Sequence, residues 1–131
     1  MRGEILLVAA DGHVRALLLA ELQEAGYPVV ALPSLEVALA ALATGRVDPA
    51  LVVLDTHGDP HADVHGIGQL LNFLEEGIPL VLVVGAYNAQ ALSPLQARAD
   101  AWLSRPLRVG DVVSAIQQLR EKPQRHQDTK S

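Results

Sequence analysis

Short, continuous apolar runs alternate along this chain with longer stretches in which apolar residues recur at helical spacing. Five runs have the length of a strand: residues 5–8, 29–32, 50–54, 80–84 and 101–104. Runs without polar alternation are typical of strands that are buried on both faces. Strands that are joined through single helices must lie parallel, with helices on both faces of the sheet. The alternation therefore predicts an α/β fold, a three-layer α/β/α sandwich around a five-stranded parallel sheet.

The stretches between these runs carry the start and stop signals of helices. Ser34 is a candidate N-cap for a helix over residues 35–43, and Gly26 follows the end of the first helical stretch. Residues 88–99 have a helical composition but are interrupted by Ser93 and Pro94. The last helix is predicted over residues 111–120. In the first helix, the residues predicted to face the core are Val14, Leu17, Leu18, Leu22 and Ala25. In the third helix they are Ile67, Leu70, Leu71 and Leu74. The third helix is predicted to end near Gly77.

The composition fits one small domain without disulfides. The chain has 131 residues, 50% of them hydrophobic, and no cysteine. A chain without cysteine fits a reducing cytoplasm and cannot form a thiolate metal site. No apolar run approaches the ~18 residues of a membrane span, and residues 1–4 lead into the first strand without the pattern of a signal peptide. We therefore expect a cytoplasmic protein without a membrane anchor.

Charge divides the chain into an acidic body and a basic end. Residues 1–119 hold 6 basic and 13 acidic side chains, whereas residues 120–131 hold 4 basic and 2 acidic ones. An acidic body argues against direct nucleic-acid binding, which requires basic side chains on one face. Residues 121–131 are polar and aperiodic and include Pro123. We expect a disordered tail or linker there, after a domain that spans residues 1–120.

Two segments make the sequence similar to a known family. The apolar run of the third strand ends in Asp55, and residues 102–107 read Trp-Leu-Ser-Arg-Pro-Leu. Together with the runs at residues 5–8 and 79–84, these segments resemble the receiver domain of bacterial response regulators over about residues 3–120. The resemblance implies a flavodoxin-like fold with the strand order 2-1-3-4-5 and a role in two-component signal transduction.

The resemblance also assigns the positions of a phosphorylation site, and most of them have lost the family's residues. Asp55 matches the phosphoacceptor. Ala9 and Ala10 stand where the family has the two acidic residues that hold magnesium. Gly85 replaces the Ser or Thr that binds the phosphoryl group, and Arg105 replaces the lysine. Because magnesium prefers oxygen ligands in octahedral geometry, we expect weak or absent magnesium binding and no other cofactor. If Arg105 lies across Asp55, a salt bridge would lock the switch in place of a phosphate.

No shift of the alignment restores the lost groups. The chain has two lysines, Lys122 and Lys130, and both lie beyond the domain. Asp11 follows the two alanines but, one position further on, is expected to point elsewhere and to cap the first helix. Trp102 matches the aromatic residue that moves on activation in the family, and it is equally compatible with a core residue and with a surface contact.

The segment that follows the third strand alternates acidic residues with histidines. Its members are Asp55, His57, Asp59, His61, Asp63 and His65. Imidazole and carboxylate groups suit zinc, nickel or copper, so the three histidines are an alternative metal site. However, Gly58 and Pro60 break any helix that would align them. The segment is also about three residues longer than the family usually has before the glycine matched by Gly66, which makes it a candidate contact surface.

These observations favour an atypical receiver that acts through protein–protein contacts and does not depend on phosphorylation. Its partner would be another protein or a fused effector domain. In the family, the face formed by helix 4, strand 5 and helix 5 mediates pairing, and here it would allow a homodimer. The candidate interface residues are Arg98, Trp102, Arg108 and Asp111.

Two alternatives stay open. One is a functional receiver that accepts phosphate from a sensor kinase on Asp55, using Asp11 or a histidine with a different metal. The other is a metal or small-ligand sensor built on residues 55–65. An enzyme is the least supported class, because the sequence has no nucleophile–base pair, no Gly-rich phosphate loop and no dinucleotide fingerprint.

Overall fold

A single parallel sheet forms the centre of the structure, a computed structural model that describes residues 3–108 and 110–121. The strands are β1 (Glu4–Ala9), β2 (Val29–Leu32), β3 (Pro49–Asp55), β4 (Leu80–Val84) and β5 (Ala101–Ser104). Their order in the sheet is β2-β1-β3-β4-β5, and all four neighbouring pairs are parallel. The predicted fold class and strand order are confirmed.

Among the residues that the structure describes, five α-helices connect or follow the strands. They are α1 (Gly12–Glu24), α2 (Leu35–Ala43), α3 (Val64–Phe73), α4 (Ala89–Leu92) and α5 (Asp111–Glu121), and a 3-10 helix (Ser93–Arg98) follows α4 directly. α2 begins as predicted, because the Ser34 Oγ accepts a hydrogen bond from the Val37 N–H at 3.1 Å. Within the described ranges, no helix has both the length and the apolar character that crossing a bilayer requires.

Each face of the sheet has its own apolar core. Successive side chains of a strand point to opposite faces, so β1 contributes Leu6 and Val8 to one core and Ile5 and Leu7 to the other. The first core is completed by α2, α3 and α4, and the second by α1 and α5. The two cores account for the continuous apolar runs in the sequence, since both faces of the central strands are covered.

The stretch of residues 88–99 is less helical than its composition indicated. α4 has only four residues, and the following six form a 3-10 helix with Pro94 in its first turn. Proline lacks an N–H donor and clashes with the preceding turn of an α-helix, so α4 cannot continue through it. α3 is also shorter than predicted: it ends at Phe73, and the backbone is extended at Leu74.

The prediction assigned more residues of α1 to the core than the structure buries. Leu18 and Leu22 are buried, but Leu17 is 48% exposed and Ala25 caps the helix at the surface. A helix that packs on a sheet buries one stripe of residues, and Leu17 lies beside that stripe.

The tail predicted from residue 121 lies outside the described residues, apart from Glu121, which ends α5.

The loop between β3 and α3 is anchored at two places. Asp59 is buried, and its carboxylate accepts hydrogen bonds from the Leu35 N–H at 2.7 Å and the His61 N–H at 3.0 Å. In α3, a Cβ on Gly66 would overlap the backbone oxygen of His61. The loop therefore packs tightly against the start of α2 and against α3, and Gly66 makes that packing possible.

Gly66 and Gly68 provide a matched pair in the same helix. We expect Gly66→Ala to lower the free energy of unfolding by about 1–3 kcal/mol, because the backbone of the loop must move. Gly68→Ala should instead raise it by up to about 1 kcal/mol, since alanine favours helix and nothing lies within 4 Å of the added Cβ. Urea unfolding followed by circular dichroism measures both, and equal effects of the two substitutions would contradict the packing described.

Candidate functional site

Asp55 lies at the carboxyl edge of the sheet, at the end of its central strand. It pairs with Ala9 of β1 on one side and with Val83 of β4 on the other. Its side chain is fully buried. In open parallel sheets, loops that follow the strands form the functional sites at this edge. The position of Asp55 thus agrees with the role that the sequence resemblance assigns to it, but its burial leaves the carboxylate in need of a partner.

Arg105 supplies that partner. Its Nη1 lies 2.8 Å from the Asp55 Oδ2, while the other carboxylate oxygen accepts the His57 N–H at 3.2 Å. The Arg105 backbone N–H is bonded to the Val84 carbonyl at 2.8 Å, which fixes the residue beside the end of β4. The arginine side chain is 26% exposed and the aspartate 0%. The buried carboxylate is therefore paired from within the chain, and Arg105 lies across Asp55, the condition that the sequence analysis set for a salt bridge at this position.

The two alanines leave the neighbouring strand end without acidic groups. Ala9 is buried, and its carbonyl accepts a hydrogen bond from the Arg15 Nη1 at 2.7 Å. Asp11 caps α1 as predicted, since its Oδ1 accepts the His13 and Val14 N–H groups at 2.8 and 3.1 Å. These two hydrogen bonds hold the pKa of Asp11 below its usual value.

This donor set does not fit a magnesium ion of the kind that the family resemblance implies. Asp55 is the single carboxylate among the matched positions, and a guanidinium already occupies one of its oxygens. Asp11 uses one oxygen to cap a helix. Magnesium requires several oxygen ligands in near-octahedral geometry, and the side chains of Ala9, Ala10 and Arg105 supply no oxygen.

Gly85 lies under an aromatic ring. A Cβ at this position would come within 2.9 Å of the Tyr87 ring, so a Ser or Thr could enter only if Tyr87 moved. The Tyr87 hydroxyl lies 3.4 Å from the Thr56 carbonyl. Asn88 joins the two loops, because its Oδ1 accepts the Gly85 N–H and its Nδ2 donates to the Thr56 Oγ1, both at 2.8 Å. The sequence interpretation gave no role to Thr56, Tyr87 and Asn88, whose only signal was their place in the loops that follow β3 and β4.

Solved structures of similar fold include response regulator receiver domains. A CheY-like receiver domain protein from Methanospirillum hungatei matches with a TM-score of 0.70 and 25% identity, over 91% of this chain and 94% of that one. A receiver domain protein from Clostridium thermocellum matches with a TM-score of 0.73 and 16% identity, over 89% and 93% of the two chains. This chain has the receiver-domain fold.

The receiver fold also matches a part of a longer protein. NtrX from Brucella abortus aligns with a TM-score of 0.72 and 22% identity over 92% of this chain, which corresponds to 27% of the NtrX chain. Neither the protein-family models nor the curated proteins give a match to this sequence. The structural similarity therefore supports the resemblance that the sequence motifs indicated, at the level of the fold.

The residues of the predicted receiver interface lie on different elements around β5. Trp102 is half-buried and packs against the core beneath α2, α3 and α4. Arg98 is exposed at the end of the 3-10 helix, and Arg108 is exposed between β5 and α5. The Asp111 Oδ2 accepts the Arg108 N–H at 2.7 Å and so holds the turn before α5. Trp102 thus has a core contact, and the interface itself stays a prediction.

The structure does not bring the three loop histidines of this receiver fold to one point. The His57 ring makes an edge contact with Tyr87, with 5.8 Å between the ring centres. The Nδ1 of His61 lies 3.9 Å from a carboxylate oxygen of Glu36, at the surface. His65 is exposed in the first turn of α3. Among residues 3–108 and 110–121, no three His, Asp or Glu side chains are placed to share a metal ion.

Removal of Arg105 tests the ion pair. We expect Arg105→Ala to lower the free energy of unfolding by about 2–3 kcal/mol, at the lower end for a buried pair because Arg105 is a quarter exposed. The double variant Arg105→Ala/Asp55→Ala should lose less, since no unpaired carboxylate stays buried. Arg98→Ala, at an exposed arginine, should change stability by less than about 0.5 kcal/mol. Urea titrations of the four proteins give the comparison, and an effect of Arg105→Ala no larger than that of Arg98→Ala would contradict the pairing.

Proposed function

We propose that this chain is an atypical receiver that signals through protein–protein contacts without phosphotransfer to Asp55. The observation that carries the proposal is the 2.8 Å ion pair between the fully buried Asp55 and Arg105. Phosphoryl transfer to a carboxylate depends on positioned cations that neutralise the developing charge. Here the carboxylate is held by a guanidinium of its own chain, and an incoming phosphoryl group would have to displace it.

Three further features support the loss of phosphotransfer. Ala9 and Ala10 offer no metal-binding oxygen in their side chains, so we propose that magnesium binds weakly or not at all. Gly85 has no hydroxyl, and a Cβ at this position would come within 2.9 Å of the Tyr87 ring. An arginine is not equivalent to a lysine at this position, because its planar fork is larger than a compact ammonium group.

Contacts with another protein would then be the output. We place the contact surface at the face of α4, β5 and α5, with Arg98, Trp102, Arg108 and Asp111 as its candidate residues and a homodimer as one arrangement. The match of this chain to about a quarter of NtrX supports a second arrangement, in which a receiver is joined to other domains of the same chain. A signalling role of this kind requires no catalysis, and a cytoplasmic location stays a prediction.

A phosphodonor assay separates this proposal from a functional phospho-accepting receiver. The full chain is incubated with acetyl phosphate and magnesium, and intact mass spectrometry measures the product, with Asp55→Ala as the matched control. A receiver with an intact acidic pair and lysine is treated in parallel to establish that the donor is active. We expect no phosphoryl adduct on this chain. An adduct that disappears in Asp55→Ala would show that Asp55 accepts phosphate and would overturn the proposal.

A further inference from the structure

A pocket opens beside the ion pair, between α1 and the loops that follow β4 and β5. Its volume is about 530 Å³. The apolar part of its lining includes Leu17 and Leu18 of α1, Tyr87 after β4, and Pro106 and Leu107 after β5. Pockets that take small molecules have volumes of about 300–1,000 Å³ and are lined mostly by apolar groups with a few polar ones. This pocket has the size and the lining of a small-molecule site.

Two large apolar residues of the lining are exposed. Leu17 is 48% exposed and Tyr87 is 65% exposed. The core does not require Leu17, because the buried residues of α1 are Leu18 and Leu22, and Tyr87 lies in the exposed loop after β4. Apolar side chains that face a concave surface can be covered by a ligand with an apolar body, which removes them from water.

The polar groups of the pocket favour a negative charge. Arg105 uses Nη1 for Asp55, and a guanidinium has five N–H donors, so donors of the partly exposed side chain stay accessible from the pocket. Arg108 is exposed in the same lining. The Glu21 carboxylate also lines the pocket, but it accepts the Gly110 N–H at 3.3 Å. Because Asp55 compensates the charge of Arg105, the positive charge that the lining offers to a ligand is that of Arg108, which has no ion-pair partner among the described residues. Guanidinium groups bind carboxylates with charge-assisted hydrogen bonds.

We propose that this pocket binds a small amphipathic carboxylate, with its apolar body against Leu17, Tyr87 and Leu107 and its carboxylate at Arg105 and Arg108. This goes beyond the proposed function and shares only Arg105 with it, because the ligand would use further donors of that guanidinium together with Arg108 and the apolar lining. A bound ligand would contact Arg105, which is paired with Asp55, and Tyr87, whose hydroxyl lies near the carbonyl of the next residue, Thr56. Occupancy of the pocket would therefore act on the part of the domain that phosphorylation controls in an ordinary receiver.

A titration with matched probes tests the charge and the apolar body separately. The ¹⁵N-labelled full chain is titrated with 2-naphthoate, with its neutral isostere 2-naphthamide, and with acetate, and amide shifts are followed by NMR. We expect saturable shifts for 2-naphthoate, concentrated in α1, in residues 85–87 and in residues 105–108. The amide should bind about tenfold more weakly, since charged hydrogen bonds are the stronger ones. Acetate should cause no saturable shift at these residues.

Substitutions at exposed positions locate the site without disturbing the core. Leu17→Gln and Arg108→Gln should each weaken binding of 2-naphthoate about tenfold, which corresponds to the loss of one well-formed contact. Val37→Gln is the matched control, because Val37 is 42% exposed on α2 and does not line the pocket. The affinity of Val37→Gln for 2-naphthoate should equal that of the unsubstituted chain.

Four outcomes would overturn the proposal. Two concern the probes: the absence of saturable shifts, and equal affinities for 2-naphthoate and 2-naphthamide. The third is a loss of affinity for 2-naphthoate in Val37→Gln as large as the loss in Leu17→Gln. The fourth is a set of shifts at the pocket residues that depend on protein concentration without any probe. The last result would mean that a second copy of the chain, and not a small carboxylate, occupies the pocket. None of these results would bear on phosphorylation of Asp55, which the mass measurement decides independently.

Discussion

A carboxylate buried at the end of the central strand has to be neutralised, and the carboxyl edge of this domain is arranged around that requirement. Asp55 is 0% exposed, with strands on both sides of β3 and helices over both faces of the sheet. An isolated charge in such a place costs so much that it must be paired or protonated. Arg105 meets the requirement from the end of the sheet's edge strand, through a single hydrogen-bonded ion pair.

The neighbouring loops are joined at the same arginine. The Arg105 backbone N–H donates to the carbonyl of Val84, the residue directly before Gly85, so the loops that follow β4 and β5 share one anchor. Asn88 then joins Gly85 to Thr56, the residue next to Asp55, so the loop after β4 is also hydrogen-bonded to the end of β3. No buried polar side-chain atom in the described part of the chain is left without a hydrogen-bond partner. Such a fully satisfied network favours one arrangement of the edge.

The sequence was sufficient for the layers of the fold and insufficient for the fine structure of its edge. Apolar runs predicted all five strands, because a strand buried on both faces has no polar alternation. The strand order came only from the family resemblance, since periodicity carries no information on which strands are neighbours. Leu17 was misassigned because helical spacing does not define how wide the contact with the sheet is. The anchoring by Asp59 depends on α2, 24 residues earlier in the chain, and no local pattern indicates it.

The residues of the candidate site also fall into those that the sequence predicted and those that it did not. The family resemblance identified Ala9 and Ala10 as replacements of an acidic pair and raised the possibility of an arginine across Asp55, and the place of Asp11 just before the first helix indicated its capping role. The contribution of Tyr87 could not be predicted, since it depends on a glycine two residues earlier that leaves room for the ring. The alternating histidines looked like one group in sequence, but the anchored loop directs them to Tyr87, to Glu36 and to the surface of α3.

The exchange of lysine for arginine connects the two proposals. A lysine ammonium is a compact point charge, whereas a guanidinium spreads its donors over a planar fork. At position 105, one donor reaches the buried Asp55 while the side chain stays 26% exposed toward the pocket. A group of this shape can neutralise a carboxylate inside the protein and present further donors to a second carboxylate outside it. In the two proposals, the arginine that stands in place of the family's lysine would thus both exclude phosphotransfer to Asp55 and supply the recognition group of a ligand site.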